Sequence, residues 1–237
     1  MKKKIFILLG FVLVLFLLAG CGEETVVESP GEVNEDGQLT DGTFTAASHA
    51  NERGYVTAEV TIANDEITAV SLTEYDALAE AKGDDYGLDE WHEAMEELPG
   101  RFEESNSAEV DVVSGATSTS EKAMDAVAKA LARSEGFTGT FDGTFMGASD
   151  VSERGGWGIA LVTLEDGDIV EVSLKEVAEG EFKDEDYGYE TWHEAADEMP
   201  ERFVEANSPE VDVFTEATGS SQMWIQAVER ALAKAGE

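Results

Sequence analysis

The stretch Asp111-Val-Val-Ser114-Gly115-Ala116-Thr117-Ser-Thr119 returns as Asp212-Val-Phe-Thr215-Glu216-Ala217-Thr218-Gly-Ser220, and each copy runs into a segment with helical apolar spacing. Outward from it the repetition continues. Asp41-Gly-Thr-Phe44 returns as Asp142-Gly-Thr-Phe145, Glu52-Arg53-Gly54 as Glu153-Arg154-Gly155, and Trp91-His92-Glu93-Ala94 as Trp192-His193-Glu194-Ala195. One insertion near Gly156 and a compensating deletion before Asp186 fall in glycine-rich or polar segments, where loops absorb length changes. A period of roughly 100 residues is too long for a solenoid unit and suits a small independent domain. The expected organisation is two tandem copies, 39–136 and 137–237, each with its own core.

Within the first copy Val56, Ala58, Val60 and Ile62 alternate with polar or smaller residues, and Ile67 to Leu72 follows across Asn64-Asp65-Glu66, which predicts a β-hairpin. The second copy has the tight-turn pair Asp166-Gly167 at that place. Trp91, Met95, Leu98 and Phe102 fall at helical spacing interrupted by Pro99, as do Trp192, Ala196, Met199 and Phe203, predicting two short helices or one broken helix per copy. Met124, Val127, Ala128 and Leu131, with Ile225, Val228 and Leu232, predict an amphipathic closing helix. Strands first, helices after, and no βαβ alternation make the expected fold class α+β, with an antiparallel sheet plus helices in each copy.

The amino terminus reads as a bacterial lipoprotein signal: Lys2-Lys3-Lys4, an apolar run from Ile5 to Leu18 shorter than the ~20 residues needed to span a bilayer, then Leu18-Ala19-Gly20-Cys21. Residues 1–20 would be the signal peptide and Cys21, the only cysteine, the lipidated residue on the outer face of the cytoplasmic membrane. Residues 21–38 are acidic, lack aromatics and read as a tether. Without the three leader lysines, 12 Lys and Arg face 52 Asp and Glu, a net charge of −40, which excludes nucleic acid as a partner.

Ser114 to Thr119 lies where an extended segment meets a helix expected to begin near Ser118 or Ser120, so unpaired backbone N–H groups accumulate there. Two readings compete. Ser118 with Glu121 fits a capping box, whereas the free N–H groups, the helix dipole and the close approach allowed by Gly115 suit a phosphate. No Lys or Arg stands between Asn106 and Glu121 to hold such an anion.

Asp111-x-x-Ser114-Gly115-Ala116-Thr117-x-Thr119, with the preceding Gly-Thr-Phe, Arg-Gly-Tyr and hairpin, resembles the bacterial FMN-binding domain family. That family includes the C subunit of the sodium-pumping NADH:quinone oxidoreductase and the G subunit of Rnf complexes. The two-copy lipoprotein layout also resembles the flavinylated surface lipoproteins of Gram-positive bacteria that take part in extracellular electron transfer. The resemblance implies FMN, one or two per chain, joined by a phosphoester to the threonine after Gly-Ala, here Thr117. A flavin transferase would install it from FAD, a membrane reductase or quinol would be the donor, and an external acceptor would take the electrons. Ser114, Gly115 and Ala116 would form the recognition turn, with Asp111 part of the signature. In the second copy Thr215, Ala217 and Thr218 follow the pattern, but Glu216 takes the glycine position.

Trp91 with Trp192, or Tyr55 with Trp157, are candidates to stack on the isoalloxazine, although the helical spacing of the first pair favours core packing. His92 and His193 repeat but read as surface residues, and no metal ligand set is expected. The competing functional reading is a non-redox surface lipoprotein binding a ligand, a cation or a partner. A third has only the first copy functional and the second a spacer.

Overall fold

The computed structural model describes residues 38–236, so the expected signal peptide, Cys21 and nearly all of the tether lie outside the described residues. The chain forms β1 (Gly42–Ala47), β2 (Tyr55–Ala63), β3 (Glu66–Tyr75), α1 (Asp89–Ser105) and α2 (Thr117–Ser134). It continues as β4 (Gly143–Ala148), β5 (Trp157–Glu165), β6 (Asp168–Ala178), β7 (Glu181–Phe182), α3 (Glu190–Ala206) and α4 (Thr218–Gly236). Two antiparallel sheets, ordered β1-β2-β3 and β4-β5-β6-β7, give an α+β fold.

In β2 the alternate residues Val56, Ala58, Val60 and Ile62 are all buried, while the intervening Glu59 faces water. One sheet face therefore carries helices and the other is wet. The first hairpin turn is tighter than its sequence suggests: Glu66 pairs with Ala63, leaving only Asn64 and Asp65 in the turn, with φ of 56° and 66°. Asp166 (φ 53°) and Gly167 (φ 79°) repeat it, and the shared positive φ values match the twist of the flanking strands.

Helix α2 packs on β1 and β2 and α1 on β3, around a core that includes Val60, Ile62, Leu98, Phe102 and Val127. In the same way α4 covers β4 and β5 and α3 covers β6, around Val162, Leu164, Met199, Phe203, Trp224 and Val228. Pro99 and Pro200 do not divide their helices. Each lies inside a single 17-residue helix with a buried leucine or methionine just before the proline and a buried phenylalanine three residues after it. Burial on both sides offsets the lost backbone hydrogen bond.

The two sheets also share an apolar seam of Ala47, Ala50, Tyr55, Met146, Ile159 and Val177. Ala50 N donates to Thr144 O at 2.7 Å, His49 Nε2 to Asp142 O at 2.8 Å, and Trp157 Nε1 to Leu78 O at 2.9 Å. Polar bonds at the edge of this patch set the register in which the halves meet.

Candidate functional site

Helix α2 starts at Thr117, earlier than its sequence suggests, and no side chain caps it: Ala116 occupies the N-cap position. The expected Ser118–Glu121 box is absent. Ala116 N bonds to Val113 O and Ser120 N to Ala116 O, while the N–H groups of Thr117, Ser118 and Thr119 have no acceptor among the described residues. The buried Ser120 hydroxyl shapes this opening, accepting from Val113 N at 3.0 Å and donating to Ala116 O at 3.0 Å. Ser221 repeats both bonds with Phe214 N and Ala217 O. Thr117 and Thr218 are exposed at the first helical position, beside free N–H groups and the positive end of the helix dipole.

Behind each threonine lies a buried carboxylate that the sequence did not single out. Glu74, from β3, accepts from Lys82 Nζ at 2.7 Å, Trp91 Nε1 at 2.8 Å and Thr119 Oγ1 at 2.9 Å. Glu176 accepts from Lys183 Nζ at 2.5 Å and Trp192 Nε1 at 2.7 Å. Its first-copy counterpart recurs at the same sheet position, next to a strand-initial aromatic's partner, a spacing signal visible only once the hairpin register is known.

Around Thr218 opens a cleft of about 1280 Å³, lined among others by Arg154, Glu176, Lys183, Tyr187, Tyr189 and Trp192. That exceeds what a drug-sized ligand needs, roughly 300–1000 Å³. Tyr187 stands edge-on to Trp192 at 5.4 Å with Lys183 over its ring at 4.1 Å; Tyr86, Trp91 and Lys82 form the same group in the first copy, at 5.1 Å and 4.3 Å. Tyr86 and Tyr187 are more than a third exposed, unlike the two tryptophans, which are buried and hydrogen-bonded. The tyrosines, not singled out from sequence, are therefore the exposed aromatics of the two groups, each with a lysine over one face and the other face left for a planar ligand.

Of the other expected stacking residues, Tyr55 lies in the seam, parallel to Tyr75 at 4.7 Å, and Trp157 bonds across it. His92 and His193 each use Nε2 to hold the carbonyl of Tyr86 or Tyr187 at 2.6 Å, pinning the tyrosine-bearing loop. Among the described residues no cluster of His, Cys, Asp and Glu could hold a metal ion.

No Lys or Arg lies between Asn106 and Glu121, but cations from outside that stretch reach its neighbourhood. Arg101 Nη1 donates to Asp111 O at 2.6 Å and Arg202 Nη1 to Asp212 O at 2.7 Å, so Asp111 contributes its backbone carbonyl while its side chain stays exposed. Lys122 is buried, donating to Gly54 O at 2.7 Å and Asn51 Oδ1 at 3.2 Å. Burial pushes its pKa down, an effect that Glu74 opposes.

Gly115 has φ 83°, and a Cβ there would meet Glu90 Cγ at 2.7 Å. Glu216 adopts the same left-handed conformation, φ 66°, which strains a non-glycine residue. It fits because the helix position equivalent to Glu90 is Thr191, so one carboxylate has moved from helix to turn, and Tyr189 Oη donates to Glu216 O at 2.9 Å. Glu216→Gly is expected to raise stability by about 1 kcal/mol by removing this strain; an unchanged urea midpoint would contradict it.

Residues 53–132 match the family model described as FMN-binding domain. A Clostridium perfringens protein of known crystal structure aligns with 41% of this chain and 90% of its own at 23% identity, with a TM-score of 0.37. No curated protein matches the chain. The start of α2 suits a phosphate such as that of FMN: its first three N–H groups have no acceptor among the described residues, and no side chain caps them.

Proposed function

We propose that this protein is a surface lipoprotein made of two tandem FMN-binding domains, 39–136 and 137–237, that carries electrons outside the cytoplasm. The observation that carries this reading is an exposed threonine opening each closing helix: Thr117, on a helix with no side-chain cap inside the segment that matches the FMN-binding family, and Thr218, at the matching place beside a cleft. A flavin transferase would use FAD to join FMN through a phosphoester to Thr117 and Thr218. Ser114, Gly115 and Ala116, with Thr215 and Ala217, shape the turn that presents each hydroxyl, and the carbonyls of Asp111 and Asp212 are anchored by arginines. When bound, FMN supplies one- and two-electron redox chemistry. The chain's own part is to hold the phosphate at the helix start, offer Tyr86 or Tyr187 to the ring, and set the local charge.

Lipidation of Cys21 would keep the protein on the outer membrane face, where a membrane reductase or quinol is the donor and an external molecule the acceptor. The covalent bond makes retention independent of affinity, which suits an acidic protein facing a dianionic cofactor. A second reading, flavin on the first copy alone, is favoured by the strained, charged Glu216 beside Thr218.

The test is intact mass of the full chain coexpressed with a flavin transferase, with Thr117→Val and Thr218→Val variants. Two FMN adducts, each lost with its own threonine, are expected. One adduct, on Thr117, would establish the second reading. None would overturn the covalent-flavin assignment in favour of a ligand-binding lipoprotein.

A further inference from the structure

The two copies repeat most of their polar framework but differ at one buried charge: Lys122 on α2 is replaced by Met223 on α4. Met223 lines the cleft around Thr218 together with Lys183 and Trp192, so this helix position belongs to the site. We propose that FMN in the first copy has the higher midpoint potential of the two, so that electrons shared within one chain reside on the flavin at Thr117. The inference rests on the reading that both threonines carry FMN.

Reduction adds negative charge to a flavin, and a nearby cation inside the protein favours it more strongly than one in water. Lys82 and Lys183 do not distinguish the copies, because each is ion-paired at 2.7 or 2.5 Å with its own buried glutamate. Lys122 is different: both acceptors it contacts, Gly54 O and Asn51 Oδ1, are neutral, and Glu74, already ion-paired with Lys82, acts on it only through space.

The acidic differences do not offset this. Glu90 beside Gly115 is matched by Glu216 beside Thr191, one carboxylate per turn. Glu121, replaced by Gln222, is exposed and screened by water. Asp125, replaced by Gln226, is occupied by Lys129. Glu229, replacing Ala128, adds a carboxylate to the second cleft.

One hydrogen bond crosses between the two halves near these segments. Trp157, directly after Gly156 of the second cleft, donates to Leu78 O on the segment that leads to Lys82 of the first. In the internal step an electron leaves the reduced flavin of the second copy and is taken up by the oxidised flavin of the first. No bond is made or broken.

The test is a redox titration, followed by visible absorbance, of the full chain loaded with FMN and of its Thr117→Val and Thr218→Val single-flavin forms. The flavin on Thr117 is expected to be favoured by about tenfold, equivalent to 59 mV for one electron. Lys122→Met should draw it towards the second site, and Met223→Lys should raise the second. Methionine occupies the matching place in α4, where Gly158 faces it instead of Val56, so the urea midpoint of Lys122→Met is measured alongside its potentials. Equal or reversed potentials, or an order unmoved by Lys122→Met, would overturn the inference. An adduct on only one threonine would also overturn it while leaving the flavin-carrier reading intact; no adduct on either would remove that reading itself.

Discussion

Glu74→Ala should lower the stability of the protein by about 3–5 kcal/mol, the usual range for breaking a buried ion pair from one side. The glutamate is 4% exposed and receives three donors, so the substitution leaves the Lys82 ammonium, the Trp91 indole N–H and the Thr119 hydroxyl without their partner at once. Lys82 is itself 11% exposed at its side chain and has little water to replace the carboxylate. The companion Glu74→Leu/Lys82→Met variant should recover much of the loss, because it removes both charges rather than stranding one. Urea denaturation of the three proteins checks this. A single variant within about 1 kcal/mol of the parent would show that the cluster is solvated and not a structural hub.

Gly147→Ala should cost about 3 kcal/mol or more, the upper end of what overpacking costs. A Cβ at Gly147 would lie 1.9 Å from Ala227 O and 2.5 Å from Ala231 N, both backbone atoms of α4, so the helix as a whole would have to retreat. The corresponding first-copy residue, Ala46, is buried without difficulty, which shows that α4 sits closer to its sheet than α2 does. Gly158, where the first copy has Val56, adds to the same close approach, with Met223 backbone 2.9 Å from its would-be Cβ. The lost volume is returned by Trp224 in place of Ala123. Trp224 is fully buried, its Nε1 donates to Lys175 O at 2.9 Å, and its ring lies 6.1 Å from Trp192. Gly219→Ala, which would meet nothing within 4 Å, is the control and should raise stability by about 0.5–1 kcal/mol. Similar midpoints for Gly147→Ala and Gly219→Ala would contradict the close-packing account.

Much of this architecture was legible in the residues. Alternation in β2 and the Asp166-Gly167 pair marked the hairpins, and the apolar spacing of Trp91, Leu98 and Phe102 marked a helix, because those patterns reflect a local period against one buried face. What failed had competing local signals. Pro99 argued for a break, but flanking buried side chains hold α1 together; Ser118 and Glu121 looked like a capping box, but the turn closes one residue earlier through Ser120.

By itself the sequence determined the duplicated pattern, the α+β class and the threonine at the start of each closing helix, since all three follow from period, spacing and turn chemistry along the chain. Only the tertiary structure decided which charges meet that junction. Glu74 reaches Thr119 across 45 residues and Lys122 reaches Gly54 across 68. Arg101 anchors Asp111 from the far end of α1. Such partners are chosen by the packing of helices on a sheet, a geometry that linear spacing does not carry.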